Sequence, residues 1–365
     1  MPISPLLGEH AALGATFTDF AGWQMPLKYS SELAEHHAVR ATAGLFDLSH
    51  MGEIEIEGPG SGAFLDYALA GAASEIGVGR AKYSLICAEN GGVIDDLVVY
   101  RLGAQRFLVV ANAANASAVV GELEIRATGF AAAITDRSAD TALIAVQGPA
   151  AQEIVGDLVD AASVGLTTDL KYYAAMPATV AGIAVLLART GYTGEDGFEL
   201  YVANESAVPL WQALLAAVTS RGGLPTGLAC RDTLRLEAGM ALYGHELTVA
   251  LDPYSAGLGR VVRLGKEFVG RAALQQRSAI PLQRMLVGLR GSGRRAGRAG
   301  YRVCDVAGTV IGEVTSGALS PTLGYPVALA YLDVACAEKG TKVSVDVRGT
   351  REPYVVAPLP FYRRS

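Results

Sequence analysis

The 365-residue sequence predicts an α+β fold divided into more than one domain. A typical domain has about 150 residues, so the length suggests two or three of them. The composition, 51% hydrophobic and 18% charged, supplies a core for each. Strands come in runs followed by helices, which favours α+β over a doubly wound parallel sheet. From about residue 281, short strands follow one another closely and predict a separate all-β domain, a small barrel or a sandwich.

The first elements have recognisable start and stop signals. Residues 30–43 predict a helix, because Ser30 or Ser31 can cap its start and Gly44 follows its end. Residues 53–57 alternate glutamate with isoleucine, which predicts a half-buried strand.

A hairpin is predicted over residues 83–101, where two apolar strands flank the pair Asn90-Gly91. Asn-Gly favours the positive φ angles of a tight reversal. A further strand over 107–111 ends at Asn112, which can cap the helix that follows it.

A second hairpin is predicted over residues 182–202, with the glycine-rich loop 191–197 between its strands. Helices are predicted over 209–220 and 228–238, and the second of them places Asp232 and Arg235 one turn apart, where they can pair.

Charge and motif content exclude several classes of protein. The net charge of −6 argues against a nucleic-acid binder, and four isolated cysteines argue against a disulfide framework or a zinc ribbon. No secretory signal or membrane span is visible, so we expect a cytoplasmic protein without membrane partners. The five histidines form no HExxH motif, and the phosphate-binding and GxSxG motifs are also missing. We expect no metal.

Two adjacent carboxylates, Asp95 and Asp96, lie inside an apolar strand. Side chains alternate along a strand, so the two carboxylates point to opposite faces, with no cationic neighbour nearer than Arg101. A buried charge is costly unless a partner meets it. Either the pair is functional, or one aspartate faces solvent and the other caps a turn.

The loop 191–197 presents a third carboxylate, Glu195, among glycines that allow close approach of a ligand to the backbone. A carboxylate suits a planar edge with two N–H donors, such as that of a pterin or guanine. A polar hairpin turn is the structural alternative. Arg231 can hold a carbonyl or carboxylate group, or it can simply neutralise Asp232.

Eight stretches of sequence stand out together: DFAGWQMPLKY (19–29), EHHAVRATAGLFDLSHMGEIEIEGP (35–59), NGGVIDDLVVYR (90–101), VVANAAN (109–115), IAVQGPAA (144–151), RTGYTGEDGFEL (189–200), CRDTLRLEAGMALYGHEL (230–247) and GEVTSGALSPTLGYPVALAYLD (312–333). In this order, and over essentially the full length, they resemble the glycine cleavage system T-protein family of aminomethyltransferases.

The resemblance implies an α+β fold of three domains arranged as a cloverleaf around a central folate-binding opening. Residues 1–50 with about 140–280 would form a folate-binding first domain, and about 51–139 an α+β second domain carrying the Asp95 hairpin. Residues from about 281 to 365 would form a C-terminal β-barrel domain.

The resemblance also implies site residues. Asp95 matches the catalytic aspartate, Glu195 the pterin-binding carboxylate and Arg231 a folate-contacting arginine. The other expected folate-binding residues are Met51, Tyr83, Asn112, Tyr172, Tyr192 and Tyr362. The family's common ARD reads Cys230-Arg231-Asp232 here, a small change beside the arginine.

The implied activity is transfer of the aminomethyl carbon from the lipoyl arm of H-protein to tetrahydrofolate in glycine catabolism. The products are 5,10-methylenetetrahydrofolate and ammonia. Tetrahydrofolate is a co-substrate, and the implied partners are lipoylated H-protein and, functionally, the P- and L-proteins. The arginine-rich stretch 290–302 is either a docking patch for an acidic partner or a solvated linker.

Two alternatives share the fold. One is a tetrahydrofolate-dependent demethylase acting on a small methyl compound. The other is a non-catalytic folate-binding protein of the iron–sulfur assembly type. Those relatives carry a cysteine motif of KGCxxGQE type, whereas residues 237–247 contain no cysteine here.

Overall fold

The computed structural model describes residues 3–364. The helices are α1 Leu7–Ala12, α2 Glu32–Ala41, α3 Ser61–Ala68, α4 Ala116–Arg126, α5 Ala151–Gly156, α6 Leu166–Asp169, α7 Ala207–Ser220, α8 Leu228–Glu237 and α9 Arg271–Ser278. The strands are β1 Thr16–Phe20, β2 Trp23–Lys28, β3 Gly44–Asp47, β4 Gly52–Glu57, β5 Ala81–Cys87, β6 Val93–Gly103, β7 Arg106–Ala111, β8 Ala133–Asp136, β9 Thr141–Gln147, β10 Ala175–Val180, β11 Ile183–Ala188, β12 Gly197–Ala203, β13 Leu224–Pro225, β14 Arg284–Gly291, β15 Arg302–Cys304, β16 Val310–Leu319, β17 Pro326–Asp333, β18 Lys342–Val347 and β19 Thr350–Ala357.

The first sheet has six strands in the order β10-β11-β12-β9-β3-β13. All neighbours are antiparallel except β13, which runs parallel to β3. Helices α5 and α7 pack against this sheet, and the core between them includes Phe198, Trp211 and Leu214. Strand β3 and strands β9 to β13, which lie far apart in the sequence, therefore share one core.

Glu35 fixes helix α2 against helix α8. Its buried carboxylate accepts hydrogen bonds from the backbone N–H groups of Tyr29 (2.8 Å), Ser30 (3.0 Å) and Gly227 (3.0 Å). Gly227 is the N-cap of α8, so the negative charge also lies at the positive end of that helix.

The second sheet is antiparallel, in the order β5-β6-β7-β4-β8. One face packs under α3 and α4 around Phe64, Val99 and Leu123. The opposite face meets the first sheet in a cluster that includes Tyr100 and Tyr201. The two faces of β6 thus have different surroundings, which decides where Asp95 and Asp96 point.

The C-terminal strands close into a barrel in the order β14-β17-β16-β15-β18-β19, with β19 paired back to β14. Leu289, Val314 and Val345 are among the residues that fill its interior. Of the two architectures left open by the sequence, the barrel is the one that forms.

Most of the predicted elements are confirmed. Both hairpins form, as β5-β6 and β11-β12, and Ser31 caps α2 by accepting from the Ala34 N–H. The Asp232–Arg235 pair also forms, at 2.7 Å. Among residues 3–364, no helix is both long and apolar enough to cross a membrane.

Two local expectations are wrong. Asn112 does not cap α4, which begins at Ala116 after Asn115, because the Asn112 side chain is bound to the aspartates of β6. Glu53 on β4 is only 1% exposed instead of facing solvent, because its face of the second sheet packs against the first sheet.

We propose to retain the predicted division into three domains, one for each of the two large sheets and one for the barrel. One segment complicates the boundary of the first domain. Leu247, Val262 and Leu274 pack against Leu85 and Val93 of the second sheet, so the segment after α8 belongs in packing terms with the second domain.

Candidate active site

Asp95 and Asp96 point to opposite faces of β6. Asp95 lies on the same face as Leu97 and Val99, toward the helices α3 and α4. Asp96 lies on the same face as Tyr100, toward the first sheet. Of the two carboxylates, Asp96 is therefore the one directed toward the junction between the sheets.

Asp95 is fully buried, with 0% of its surface exposed. Its carboxylate accepts from the Asn112 backbone N–H (2.9 Å), the Asn112 amide (2.9 Å) and the Asn115 amide (2.7 Å). Burial, and then the charge of Asp96, raise the pKa of Asp95 to about 7, although the three hydrogen bonds oppose that rise. Asp95 is thus poised to change its protonation state near neutral pH.

Asp96 accepts a hydrogen bond from the Tyr83 hydroxyl at 3.0 Å and one from the Asn112 amide at 2.9 Å. A single side-chain amide therefore bridges both aspartates. Burial raises the pKa of Asp96, and these hydrogen bonds oppose the rise. Tyr243, which sequence analysis missed, donates to the Val93 carbonyl at 3.2 Å. Burial raises the pKa of Tyr243, and the charges of both aspartates raise it further.

Two more aromatic rings lie within electrostatic range of Asp96. The pKa values of Tyr173 and Tyr192 are raised mainly by burial, and in both cases the charge of Asp96 adds to the rise. Tyr173 also adopts a left-handed φ of 59°, an uncommon conformation for a bulky residue. Tyr172, the tyrosine named by the resemblance, is 43% exposed and has Asp196 and Arg364 among its charged neighbours.

Arg231 lies beside Tyr192, with its guanidinium carbon 4.8 Å from the centre of the ring. Burial lowers the pKa of Arg231, and the negative charge of Glu199 opposes this. The alternative in which Arg231 neutralises Asp232 does not hold, because Asp232 pairs with Arg235. The Arg231 guanidinium lies against the ring of Tyr192 instead. Met51, just before β4, packs partly buried at the edge of the core cluster that also includes Tyr173.

The glycines of the loop 191–197 have a structural explanation. A Cβ on Gly191 would come 1.9 Å from Gln147 Oε1, and one on Gly197 would come 2.3 Å from Gln147 Nε2. Gly194 has a φ of +81°, which disfavours other residues. The packing of Gln147 and this turn account for the glycines without invoking a ligand.

Glu195 is buried, and its side chain is 2% exposed. Its Oε1 accepts from Arg40 Nη1 at 2.8 Å, and Arg40 also binds Glu237 Oε2 through Nη2 at 2.8 Å. The guanidinium carbon of Arg40 lies 3.9 Å from the centre of the Tyr362 ring. The loop carboxylate is thus held by a buried cation instead of projecting into solvent.

Comparisons with known proteins show the family of this chain. The model of the GCVT N-terminal domain matches residues 6–266, and that of the glycine cleavage T-protein C-terminal barrel domain matches residues 284–363. The chain belongs to the glycine cleavage T-protein family.

Curated relatives in this family carry the name aminomethyltransferase. The protein of Streptomyces avermitilis is 59% identical, covering 98% of this chain and 96% of its own length. That of Saccharopolyspora erythraea is 58% identical, covering 99% and 98%. The predicted enzyme class, aminomethyltransferase, is thereby confirmed.

A solved family member has the same fold. The crystal structure of the glycine cleavage system aminomethyltransferase T from Bartonella henselae superimposes with a TM-score of 0.91 at 38% identity, covering 99% of this chain and 98% of that one. The predicted α+β class with a C-terminal barrel is confirmed.

Most of the predicted site residues fall into two sets. Tyr83 and Asn112 bind Asp96, and Tyr192 lies within electrostatic range of it with Arg231 against its ring. Glu195 and Tyr362 contact Arg40, and Met51 and Tyr172 are grouped with Tyr173 instead. Sequence analysis missed a further group: Arg40, Asn115, Tyr173, Glu199, Glu237 and Tyr243. Of these, Arg40 lies on the helix predicted over residues 30–43, but its position along that helix gave no functional signal. Among residues 3–364, no group of three or more His, Cys, Asp or Glu is arranged to hold a metal.

Proposed function

We propose that the enzyme transfers the aminomethyl carbon of H-protein's lipoyl arm to tetrahydrofolate. The observation that carries the proposal is Asp96, a partly buried carboxylate directed to the junction of the sheets and held by Tyr83 and Asn112. Tyr192 lies within electrostatic range of Asp96, and Arg231 lies against the Tyr192 ring; these two side chains are proposed as an aromatic and cationic wall of the pocket. Membership of a family of aminomethyltransferases supports the reaction class.

The reaction requires stabilisation of positive charge. The C–N bond to ammonia and the C–S bond to the lipoyl sulfur break, and two bonds from the carbon to folate nitrogens form. Protons released from those nitrogens end on ammonia and on the lipoyl thiol. Loss of the lipoyl thiolate leaves an iminium carbon, and loss of ammonia from the lipoyl adduct leaves a sulfur-stabilised cation. A carboxylate in a dry pocket stabilises either cation far better than water does.

We assign the contact with the reacting carbon and folate nitrogens to Asp96. The resemblance leads to Asp95, but that side chain is fully buried on the opposite face of β6. Asp95 then acts indirectly: the Asn112 amide joins the two carboxylates, and their mutual repulsion couples the protonation of one to the other.

Glu195 and Arg231 are proposed to bind the folate itself. Glu195 suits the 2-amino and N3–H donors of the pterin, since a carboxylate accepts two parallel N–H groups. Arg231 would meet a carbonyl or carboxylate of the same ligand. Met51, Tyr83, Tyr192 and Tyr362 are proposed as pocket walls.

For the remaining residue, Tyr172, an indirect role is proposed. It is half exposed and lies edge-on to Tyr173 with ring centres 5.0 Å apart, so it would support Tyr173 at the pocket.

The proposed donor is lipoylated H-protein, which links the enzyme functionally to the P- and L-proteins. Tetrahydrofolate is the co-substrate, and the mechanism above assigns no step to a metal. Cytoplasmic location stays a prediction, and residues 290–302 keep both of their interpretations, a docking patch for an acidic partner or a solvated linker.

The test is formation of 5,10-methylenetetrahydrofolate from aminomethylated H-protein. Asp96→Asn should lower kcat by about 100-fold or more while folate still binds. Asp95→Asn should have a smaller effect, and Asp140→Asn, which changes an exposed aspartate between β8 and β9, should have none. Full turnover by Asp96→Asn with bound folate would refute the assignment. A larger loss in Asp95→Asn would return the catalytic role to that residue.

A further inference from the structure

Arg40 lies at the centre of a buried network that joins four parts of the chain. Its Nη1 donates to Glu195 Oε1 and to the Thr193 carbonyl, both at 2.8 Å. Its Nη2 and Nε donate to Glu237 Oε2 at 2.8 and 3.1 Å. The exposed fractions of the three charged side chains are 6% for Arg40, 2% for Glu195 and 0% for Glu237. Because Arg40 binds both carboxylates, the position of the Glu195 carboxylate depends on that of Glu237.

Glu237 is in turn fixed by the barrel. Its Oε1 accepts from the Ser320 hydroxyl (2.5 Å) and the Thr322 N–H (3.1 Å), and its Oε2 accepts from the Thr322 hydroxyl (2.8 Å). His36 Nε2 lies 3.2 Å from the same Oε2. Burial opposes ionisation of Glu237, but these hydrogen bonds and the charges of His36 and Arg40 outweigh it and lower its pKa to about 2.

The C-terminal segment closes the network from the other side. The ring of Tyr362 lies against the Arg40 guanidinium, and its backbone N–H donates to the Glu237 carbonyl at 2.9 Å. Two residues later, Arg364 pairs with Asp196 at 3.4 Å, next to Glu195. Burial, followed by a hydrogen bond to Glu195, raises the pKa of Tyr362 to about 12.

We propose that Arg40 is a positioning residue through which the barrel sets the orientation of the Glu195 carboxylate. The inference rests on the proposed role of Glu195 in binding the pterin. A planar ligand edge needs both carboxylate oxygens in a defined plane, and the rigid guanidinium fork of Arg40 fixes one of them. Ser320 reaches Glu195 through Glu237 and Arg40, and Thr322 reaches it through Arg40, which it contacts both by way of Glu237 and directly at Arg40 Nε (3.4 Å).

The experiment measures kcat and the KM for tetrahydrofolate in four variants. Arg40→Ala should raise KM by about 10-fold or more, with a smaller change in kcat. Arg40→Lys should not restore it, since an ammonium group cannot bridge two carboxylates in this geometry. Thr322→Val, on the barrel, should raise KM by a few fold in the same direction. Arg284→Ala removes an exposed Arg–Asp pair at the start of the barrel and should change neither constant.

A double-variant cycle separates positioning from general damage. Because Arg40 acts through Glu195, the variant Arg40→Ala/Glu195→Ala should have the same folate KM as Glu195→Ala alone. Additive effects would overturn the proposal. An unchanged folate KM in Thr322→Val would overturn it as well. This variant keeps every charge of the network, so it gives a result even where Arg40→Ala fails to fold.

The cycle also distinguishes this inference from the proposed function. If Glu195→Ala raises the folate KM while Arg40→Ala and Thr322→Val do not, only the positioning role fails. If Glu195→Ala leaves the folate KM unchanged, the proposed pterin contact of Glu195 fails, and the role of Arg40 fails with it.

Discussion

Removing the Asn112 side chain tests the coupling of the two aspartates most sharply. The Asn112 amide donates to Asp95 Oδ1 and to Asp96 Oδ1, each at 2.9 Å. In Asn112→Ala both of these hydrogen bonds are lost, whereas the backbone N–H at position 112 still reaches Asp95 and Tyr83 still reaches Asp96. The variant therefore weakens, but does not abolish, stabilisation of the ionised pair.

The size of the effect follows from these contacts. A hydrogen bond to a charged group contributes about 1.5–3 kcal/mol, and about 1.4 kcal/mol corresponds to one pKa unit. Each aspartate loses one such bond, so the pKa of each should rise by about one unit or more. Burial, and then the charge of Asp96, already raise the pKa of Asp95 to about 7, and loss of the amide should raise the apparent pKa of the pair further, by about one unit.

The assay is the pH dependence of kcat/KM for tetrahydrofolate between about pH 5.5 and 9. Catalysis needs the ionised carboxylate, so the rate rises with pH through the apparent pKa. In Asn112→Ala this rising limb should move to higher pH by about one unit. Asn115→Ala, which removes a donor from Asp95 alone, is the matched control and should move it less.

Two results would refute the reasoning. An unchanged midpoint in Asn112→Ala would mean that the aspartates do not control the rate. A shift of the rising limb to lower pH would mean that the Asn112 amide stabilises the protonated form of the pair and not the ionised one.

The remaining predictions concern the stability of the protein and the hydrogen bond from the Tyr83 hydroxyl to Asp96. In Asp95→Asn, stability should depend less on pH. Burial, and then Asp96, raise the folded-state pKa of Asp95 to about 7, above the unfolded value of about 4. The folded protein therefore holds the extra proton, and its stability falls as the pH rises from about 4 to about 7. Denaturant unfolding at the two ends of this window should show a smaller loss for the variant, and an equal loss would contradict the prediction. Tyr83→Phe removes the hydroxyl that donates to Asp96; pH–rate measurements should show a rising limb moved to higher pH, and no movement counts against that hydrogen bond. Gly191→Ala brings a Cβ within 1.9 Å of Gln147 Oε1 and should cost about 1–3 kcal/mol. Gly121→Ala, in helix α4 with no atom within 4 Å of the added Cβ, should gain about 0.5–1 kcal/mol. Calorimetry that ranks these two variants in the reverse order would contradict the packing argument.

Local patterning predicted the elements of the fold well. Hairpins with Asn-Gly or glycine-rich connections and helices with Ser caps have short-range causes, and they form where the sequence places them. Asn112 shows the limit of this reasoning. Its position suits a helix cap, but the nearby aspartates of β6 compete for the same side chain. That competition depends on strand pairing and cannot be deduced from spacing along the chain.

The site was predicted in part for the same reason. Strand alternation correctly placed Asp95 and Asp96 on opposite faces, but it could not say which face meets the first sheet. Glu195 was found as a loop carboxylate, whereas its partner Arg40 lies 155 positions away on α2. Long-range ion pairs of this kind leave no periodic signal in the sequence.

The central claim is that Asp96 lies beside the reacting nitrogens of tetrahydrofolate, and that Glu195 binds the opposite edge of its pterin ring. A crystal structure of the enzyme with tetrahydrofolate bound tests this directly. The account predicts N5 or N10 within about 3.2 Å of the Asp96 carboxylate, or one water away from it, and the 2-amino edge on Glu195. A pterin ring bound with its reactive nitrogens remote from Asp96 would contradict the account.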